Sequence, residues 1–391
     1  MRGSFSLFYN IWLTVFLLYH TTLITDEPFK LILLGVALEA TVFLFEVPTG
    51  VMADAYSRKW SSVIGLLLMG SAYLLEGAFL LYGTVFLAQI IHGLGFTFYS
   101  GASDAWLADE IGMEKATPVY VRGSQVSLVC GQFGILSAIL IGQISLQIAL
   151  MVAGVGAIIL GVVLILFMQE NGFMPDESIR GVRARMRQTT QNSVNALRLN
   201  PALIVVVMVG LIIGLSLGGF DRLFTPHFLT YDPPYDPVVW YGILFGIISL
   251  CSALILEWIR KRARMITPEA IRRTIALLYA GTIVGNIMFV LAGNFGMALL
   301  AFWFSQMLRT TVRPLIIIWI NTIAESHVRA TSISMYWQSN ALGHIIGLPI
   351  IGVIGSLFTL RIALMTAVIA LTPAVILLAR SPTKTAESIV D

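Results

Sequence analysis

Ionisable side chains embedded in long apolar runs are the residues of this sequence best placed to do chemistry. A carboxylate or guanidinium in a lipid-facing helix costs about 2.5–3.5 kcal/mol on insertion scales, so each needs a partner or a task. Glu39 and Glu46 lie seven residues apart in one apolar run. At about 100° per residue they differ by only about 20° around a helix axis. Two partly desolvated carboxylates on one face are candidate proton carriers; for Glu46, bonding to backbone near Pro48 as part of an inner gate is the alternative. Asp104 and Asp109 follow in a later run, the second near its end, where a salt bridge with Arg122 is expected. Arg309 and Arg313, four residues apart, share a face of another run and cannot readily shed their charge. Both require an anion: Asp104 and Glu39 are candidate partners, and a substrate is the alternative. His92 and His344 can titrate near neutrality, although hydrogen-bonded packing is the commoner role of such a histidine. Glu76 reads as structural, Asp221-Arg222 as a rim pair, and Phe96, Phe98, Tyr99 and Trp106 as helix packing or an apolar binding wall.

These groups need membrane helices to position them. The 391-residue chain is 57% hydrophobic and 12% charged, with a mean hydropathy of +0.86. A soluble chain typically carries about 25% charged residues. The apolar material falls into runs of about 20 residues, the length that crosses a bilayer. Twelve spans can be drawn: 5–24, 31–52, 60–82, 84–107, 119–143, 146–168, 201–223, 238–257, 274–293, 296–320, 332–357 and 361–380. The first, after Arg2 alone and without a small-residue cleavage pattern, reads as a retained helix. The polar stretch 169–200, with Arg180, Arg183, Arg185, Arg187 and Arg198, separates an N-terminal bundle (1–168) from a C-terminal one (201–391). With the N-terminus in the cytoplasm, only Lys30, Arg222 and Arg361 of the 24 Lys and Arg fall on the external side. That bias places both termini in the cytoplasm. Cys130 and Cys251 lie in apolar runs and imply no disulfide, and nothing resembles a metal, phosphate-loop or nucleophile motif. No cofactor, enzyme activity or nucleic-acid partner is expected.

Between the second and third spans lies a charged elbow, Gly50-Val51-Met52-Ala53-Asp54-Ala55-Tyr56-Ser57-Arg58-Lys59. Gly50 would permit close helix approach, Asp54 can accept hydrogen bonds at an opposing helix N-terminus, and Arg58 and Lys59 anchor the turn among headgroups. The halves also echo each other. Asp54 to Lys59 aligns with Glu257 to Arg262, Ala105-Trp106-Leu107 with Ile318-Trp319-Ile320, and Arg122 to Ser127 with Arg329 to Ser334. Their common order indicates a duplicated six-helix unit, an arrangement suited to rocking about a midplane site.

Six plus six spans, a basic linker and this elbow together resemble the major facilitator superfamily. Its pattern G-x-x-x-D-x-x-G-[RK]-[RK] is met by Gly50, Asp54, Arg58 and Lys59, with Ser57 replacing the second glycine. The resemblance implies an all-α membrane protein of twelve helices in two six-helix bundles, with spans 1, 4, 7 and 10 lining a cavity. It makes the elbow a latch for the outward-open state, joined by Glu46, Asp109 and Arg122 as conformational gate residues. Glu39, Asp104, Arg309, Arg313 and His92 become candidates for proton coupling or substrate binding. Phe45 to Gly50 and Ser100 to Asp109 look most like the tetracycline- and macrolide-exporter branch. Gln89 stands where proton-coupled members carry arginine, and span 5 lacks the antiporter proline.

The expectation is a monomeric secondary transporter in a bacterial plasma membrane, exporting amphipathic or drug-like compounds in exchange for protons. An importer or exchanger of a small organic anion is the alternative within the class. A non-transporting receptor or scaffold is the alternative outside it.

Overall fold

The computed structural model describes residues 1–173, 201–231, 233, 235–262, 267–324 and 329–380. The linker arginines, Arg180 to Arg198, lie outside the described residues. Every regular element among those described is helical. Ten stretches are long and apolar enough to cross a membrane by length and composition, so this is a multi-pass membrane protein. The helices are α1 (Arg2–Tyr19), α2 (Pro28–Ala55), α3 (Arg58–Ala78), α4 (Tyr82–Ser100), α5 (Ala102–Ile111), α6 (Met113–Gly142) and α7 (Leu146–Phe167). After the linker come α8 (Pro201–Leu229), α9 (Pro237–Arg262), α10 (Pro268–Val290), α11 (Phe295–Ile323), α12 (Arg329–Leu357), α13 (Leu360–Ile369) and α14 (Thr372–Arg380).

Local chemistry sets where many of these helices begin. Ser57 caps α3 by accepting from the Trp60 N–H at 3.0 Å, and Asn294 caps α11 by accepting from Met297 at 2.9 Å. Thr267 caps α10, whose first residue is Pro268, a position where the missing N–H costs nothing. Two features depart from a simple count of spans. Span 4 is built of α4 and α5 meeting at Gly101, and span 12 of α13 and α14, with Pro373 unable to continue the ladder of α13. The end of α1 opens into a π-helical turn, His20–Ile24, which periodicity alone does not foretell.

The chain divides into two compact units. One comprises Met1–Asp26, Leu33–Arg187 and Pro234–Gly246; the other comprises Glu27–Ile32, Gln188–Pro233 and Ile247–Asp391. In the first, α3 packs on α4 and α7, and α1 on α6 and α7. Backbones approach closely where glycines face each other. A Cβ on Gly65 would stand 2.7 Å from the Gly95 carbonyl, and one on Gly70 2.8 Å from that of Gly154. In lipid such small-residue contacts supply packing that hydrophobicity cannot. The core around them includes Ile11, Val15, Val63, Leu66, Met69 and Ala153. In the second unit α12 packs on α8 and α11 on α10, around Leu217, Ile275, Val312, Ile316 and Trp319.

Candidate functional site

The first unit holds polar groups at two ends of α3. At its start, the elbow is a connected charge network. Arg58 donates to Asp109 at 2.5 Å and reaches Asp54 at 3.4 Å. Ser57 donates to Glu170 at 2.5 Å, and the Lys59 backbone N–H donates to the same carboxylate at 2.9 Å. Trp106 reaches the Gln169 carbonyl at 2.7 Å, while the Lys59 ammonium donates to the Ile165 carbonyl at 3.0 Å. The α2–α3 turn and α5 are thus both tied to the end of α7. A cleft of about 250 Å³ opens beside the turn, lined by residues that include Glu46, Gly50, Asp54, Thr97 and Gly101. Glu39 lies close enough to act electrostatically on Glu46, in keeping with their shared face on α2.

Several expectations change here. Asp109 pairs with Arg58 and not with Arg122, because α6 carries Arg122 outward; it is exposed and forms no ion pair among the described residues. Gly50 makes no close helix contact, since a Cβ there would meet open space. Asp104 does not reach the arginines of α11. It pairs with Arg2 at the start of α1, whose guanidinium also lies over the Tyr120 ring at 4.7 Å.

Arg309 is neutralised within the second unit by Asp221 of α8, which accepts two guanidinium hydrogen bonds. The Asp221-Arg222 rim pair is therefore replaced by a bidentate pair between helices, the geometry that suits a planar guanidinium. Arg313 is treated differently. It is exposed, stacks over Trp337 of α12 at 4.6 Å, and has no carboxylate within ion-pair distance among the described residues.

At the far end of α3 lies a constellation that the sequence reading missed. Glu76 is 1% exposed, so it belongs to the unit's interior and not to its periphery. Its carboxylate accepts from Trp12 at 3.1 Å and from the Gln89 amide at 2.7 Å, and meets His20 Nε2 at 2.6 Å. The Tyr19 hydroxyl donates to its backbone carbonyl at 2.5 Å. His92 is buried beside the Tyr73 hydroxyl at 3.3 Å and edge-on to Trp12. Apolar packing accounts for the aromatic residues of span 4: Tyr99 is buried and stacks on Phe5, and Phe96 packs on the core. The usable signal was the cost of His20 and Glu76 inside apolar runs. Cys130 and Cys251 are free thiols, and among the described residues no cluster of three His, Cys, Asp or Glu could hold a metal.

A family model described as Major Facilitator Superfamily matches residues 3–335. No curated protein matches. Among solved structures, a variant of the nucleoside transporter NupG superposes with a TM-score of 0.78 at 14% identity, covering 97% of each chain. A POT family transporter in complex with 5-aminolevulinic acid gives 0.74 at 14% identity, over 97% of this chain and 94% of the other. A bacterial homolog of the human lysosomal transporter Spinster, inward-facing and occupied, gives 0.73 at 12% identity, over 97% and 94%. At such identities the likeness establishes the fold.

Proposed function

The chain belongs to the Major Facilitator Superfamily, a family of transporters, and from that premise we propose that it is a secondary active transporter exporting amphipathic or drug-like small molecules in exchange for protons. The observation that carries this reading is the pair of carboxylates on one face of α2, with Glu46 lining a cleft beside the charged elbow. A carboxylate that loses its charge on protonation gives the proton a differential affinity for two conformations, and that is what coupling requires. The Asp54–Arg58–Asp109 network is the conformational gate of this reading, with Lys59 holding the turn against the end of α7.

The reading has two six-helix bundles, 1–168 and 201–391, joined by 169–200, in a monomer with twelve crossings. The two crossings beyond the ten apolar stretches are α9 and α11, the latter diluted by Gln306, Arg309 and Arg313. Both termini lie in the cytoplasm and the membrane is a plasma membrane. Purified protein in liposomes should expel a preloaded lipophilic dye such as ethidium only when a proton gradient is imposed. Gradient-independent movement would reject antiport.

A second reading, exchange of a small organic anion, is favoured by Arg313. Its guanidinium is exposed at a Trp337 ring while Asp221 already satisfies Arg309. Fluorescein uptake that Arg313→Gln abolishes, with ethidium indifferent to the same change, would select this reading over the first.

A further inference from the structure

The cluster around Glu76 is closed, dry and electrically unbalanced in a way that specifies its ligand. His20 is 0% exposed, Glu76 1% and Gln89 0%, so nothing larger than a proton can be added without parting the helices. Three donors converge on the Glu76 carboxylate, from Trp12, His20 and Gln89. That set stabilises the anion and leaves no acceptor lone pair that a protonated Glu76 would serve better. The adjacent imidazole is differently placed. His20 Nε2 is engaged by Glu76, while Nδ1 is buried with no hydrogen-bond partner among the described residues. A second, independent observation points to the same residue: α1 gives up its regular ladder at His20 and runs on as a π-helical turn to Ile24. Such turns concentrate at functional positions because they swing a side chain out of the regular register.

We propose that this cluster is a proton-binding site in which His20 Nδ1 takes up one proton while Glu76 remains a carboxylate. The proton comes from water. Nε2–H stays on Glu76, Nδ1 gains the second N–H, and the His20–Glu76 pair passes from a net charge of −1 to 0. A buried, uncompensated carboxylate is costly and a compensated one is not. Proton uptake therefore stabilises the closed arrangement of α1, α3 and α4, and release favours its opening. No other full charge faces the site from the helices around it. From α1 come Tyr9, Trp12 and Tyr19, from α3 Tyr73, and from α4 Gln89 and His92, the second cationic group acting on Glu76. At Gly93, α2 presents Leu38 and Thr41; α6 faces α1 with Ser127, Gly131 and Gly134. The sequence of α7 contains no ionisable residue.

The protonation step stands on this geometry alone; its use in coupling rests on the transport reading, and one experiment separates the two. The whole protein, with ¹⁵N-labelled histidine rings and reconstituted in lipid nanodiscs, is titrated by NMR from pH 8 to pH 5. The five histidines are assigned by replacing the other four singly. The His20 ring should convert from one neutral tautomer to imidazolium within this window, where a histidine switch operates. Glu76→Gln, which keeps shape and removes the counter-charge, should take that transition out of the window. A His20 ring whose signals stay constant in the unmodified protein overturns the proposal and makes the cluster a fixed structural lock, whether or not the Glu76 variant folds. Flux is measured on the same preparation. A titrating His20 with gradient-independent flux supports the site and removes the coupled-transport reading instead.

Discussion

The two ends of α3 hold polar clusters of opposite design. They are eighteen residues apart, about 27 Å along the helix axis. At the start, Arg58 serves Asp54 and Asp109 with side chains that are 20–33% exposed, and Glu170 adds further hydrogen bonds from Ser57 and Lys59. Water and neighbouring groups can compensate for any one of these charges. At the end, Glu76 is served by His20, Trp12 and Gln89 with no water-accessible surface to fall back on. The contrast separates two uses of charge. An open network is adjustable and suits a joint that must form and break. A dry one is all-or-none and suits storage of a single proton.

The contrast predicts a ranking of substitutions. Glu76→Ala should be the most damaging, because it strands His20, Trp12 and Gln89 in an apolar interior. Removing one partner of a buried pair costs about 3–5 kcal/mol, read as a lower unfolding midpoint in nanodiscs. Equal tolerance at Glu76 and Arg58 would erase the distinction. Arg58→Ala should cost about 1 kcal/mol or less in stability, since partly exposed pairs are worth little. It should nonetheless change dye flux by about 5-fold or more if the elbow biases two conformations. The double variant Arg58→Asp with Asp109→Arg should recover part of that flux, a sharper test of the pair than either single change. Raising salt should weaken the elbow and leave the Glu76 cluster untouched, because screening acts on solvent-exposed charges. The smallest effect belongs to Arg122→Ala. Its side chain is exposed and forms no ion pair among the described residues, so stability should stay within about 0.5 kcal/mol and flux unchanged.

The sequence showed these two regions unequally, for a physical reason. The elbow is nearly contiguous, so Asp54, Arg58 and Lys59 could be read together from one turn between apolar runs. Even there the partner of Asp109 was misjudged: Arg122 is nearer along the chain, yet the outward face of α6 removes it and Arg58 lies closer in space. The Glu76 cluster is assembled from residues on α1, α3 and α4, with His20 fifty-six positions from Glu76. Periodicity says that such residues lie in helices, but not which faces meet. Gln89 showed only as a departure from a family pattern, whereas its amide donates to the buried carboxylate. Arg309 likewise announced its need for an anion without revealing that Asp221 supplies it. The membrane helices themselves were legible because bilayer thickness imposes a length that composition makes visible. The breaks at Gly101 and before Pro373 were not, since neither interrupts the apolar run.

The central claim is that this chain moves a small molecule against the flow of protons. The direct measurement is ethidium efflux from proteoliposomes of the purified protein, with the proton gradient imposed, reversed and collapsed in turn. Efflux should follow the gradient in direction and stop when it is collapsed. Efflux of equal rate under all three conditions would contradict the account.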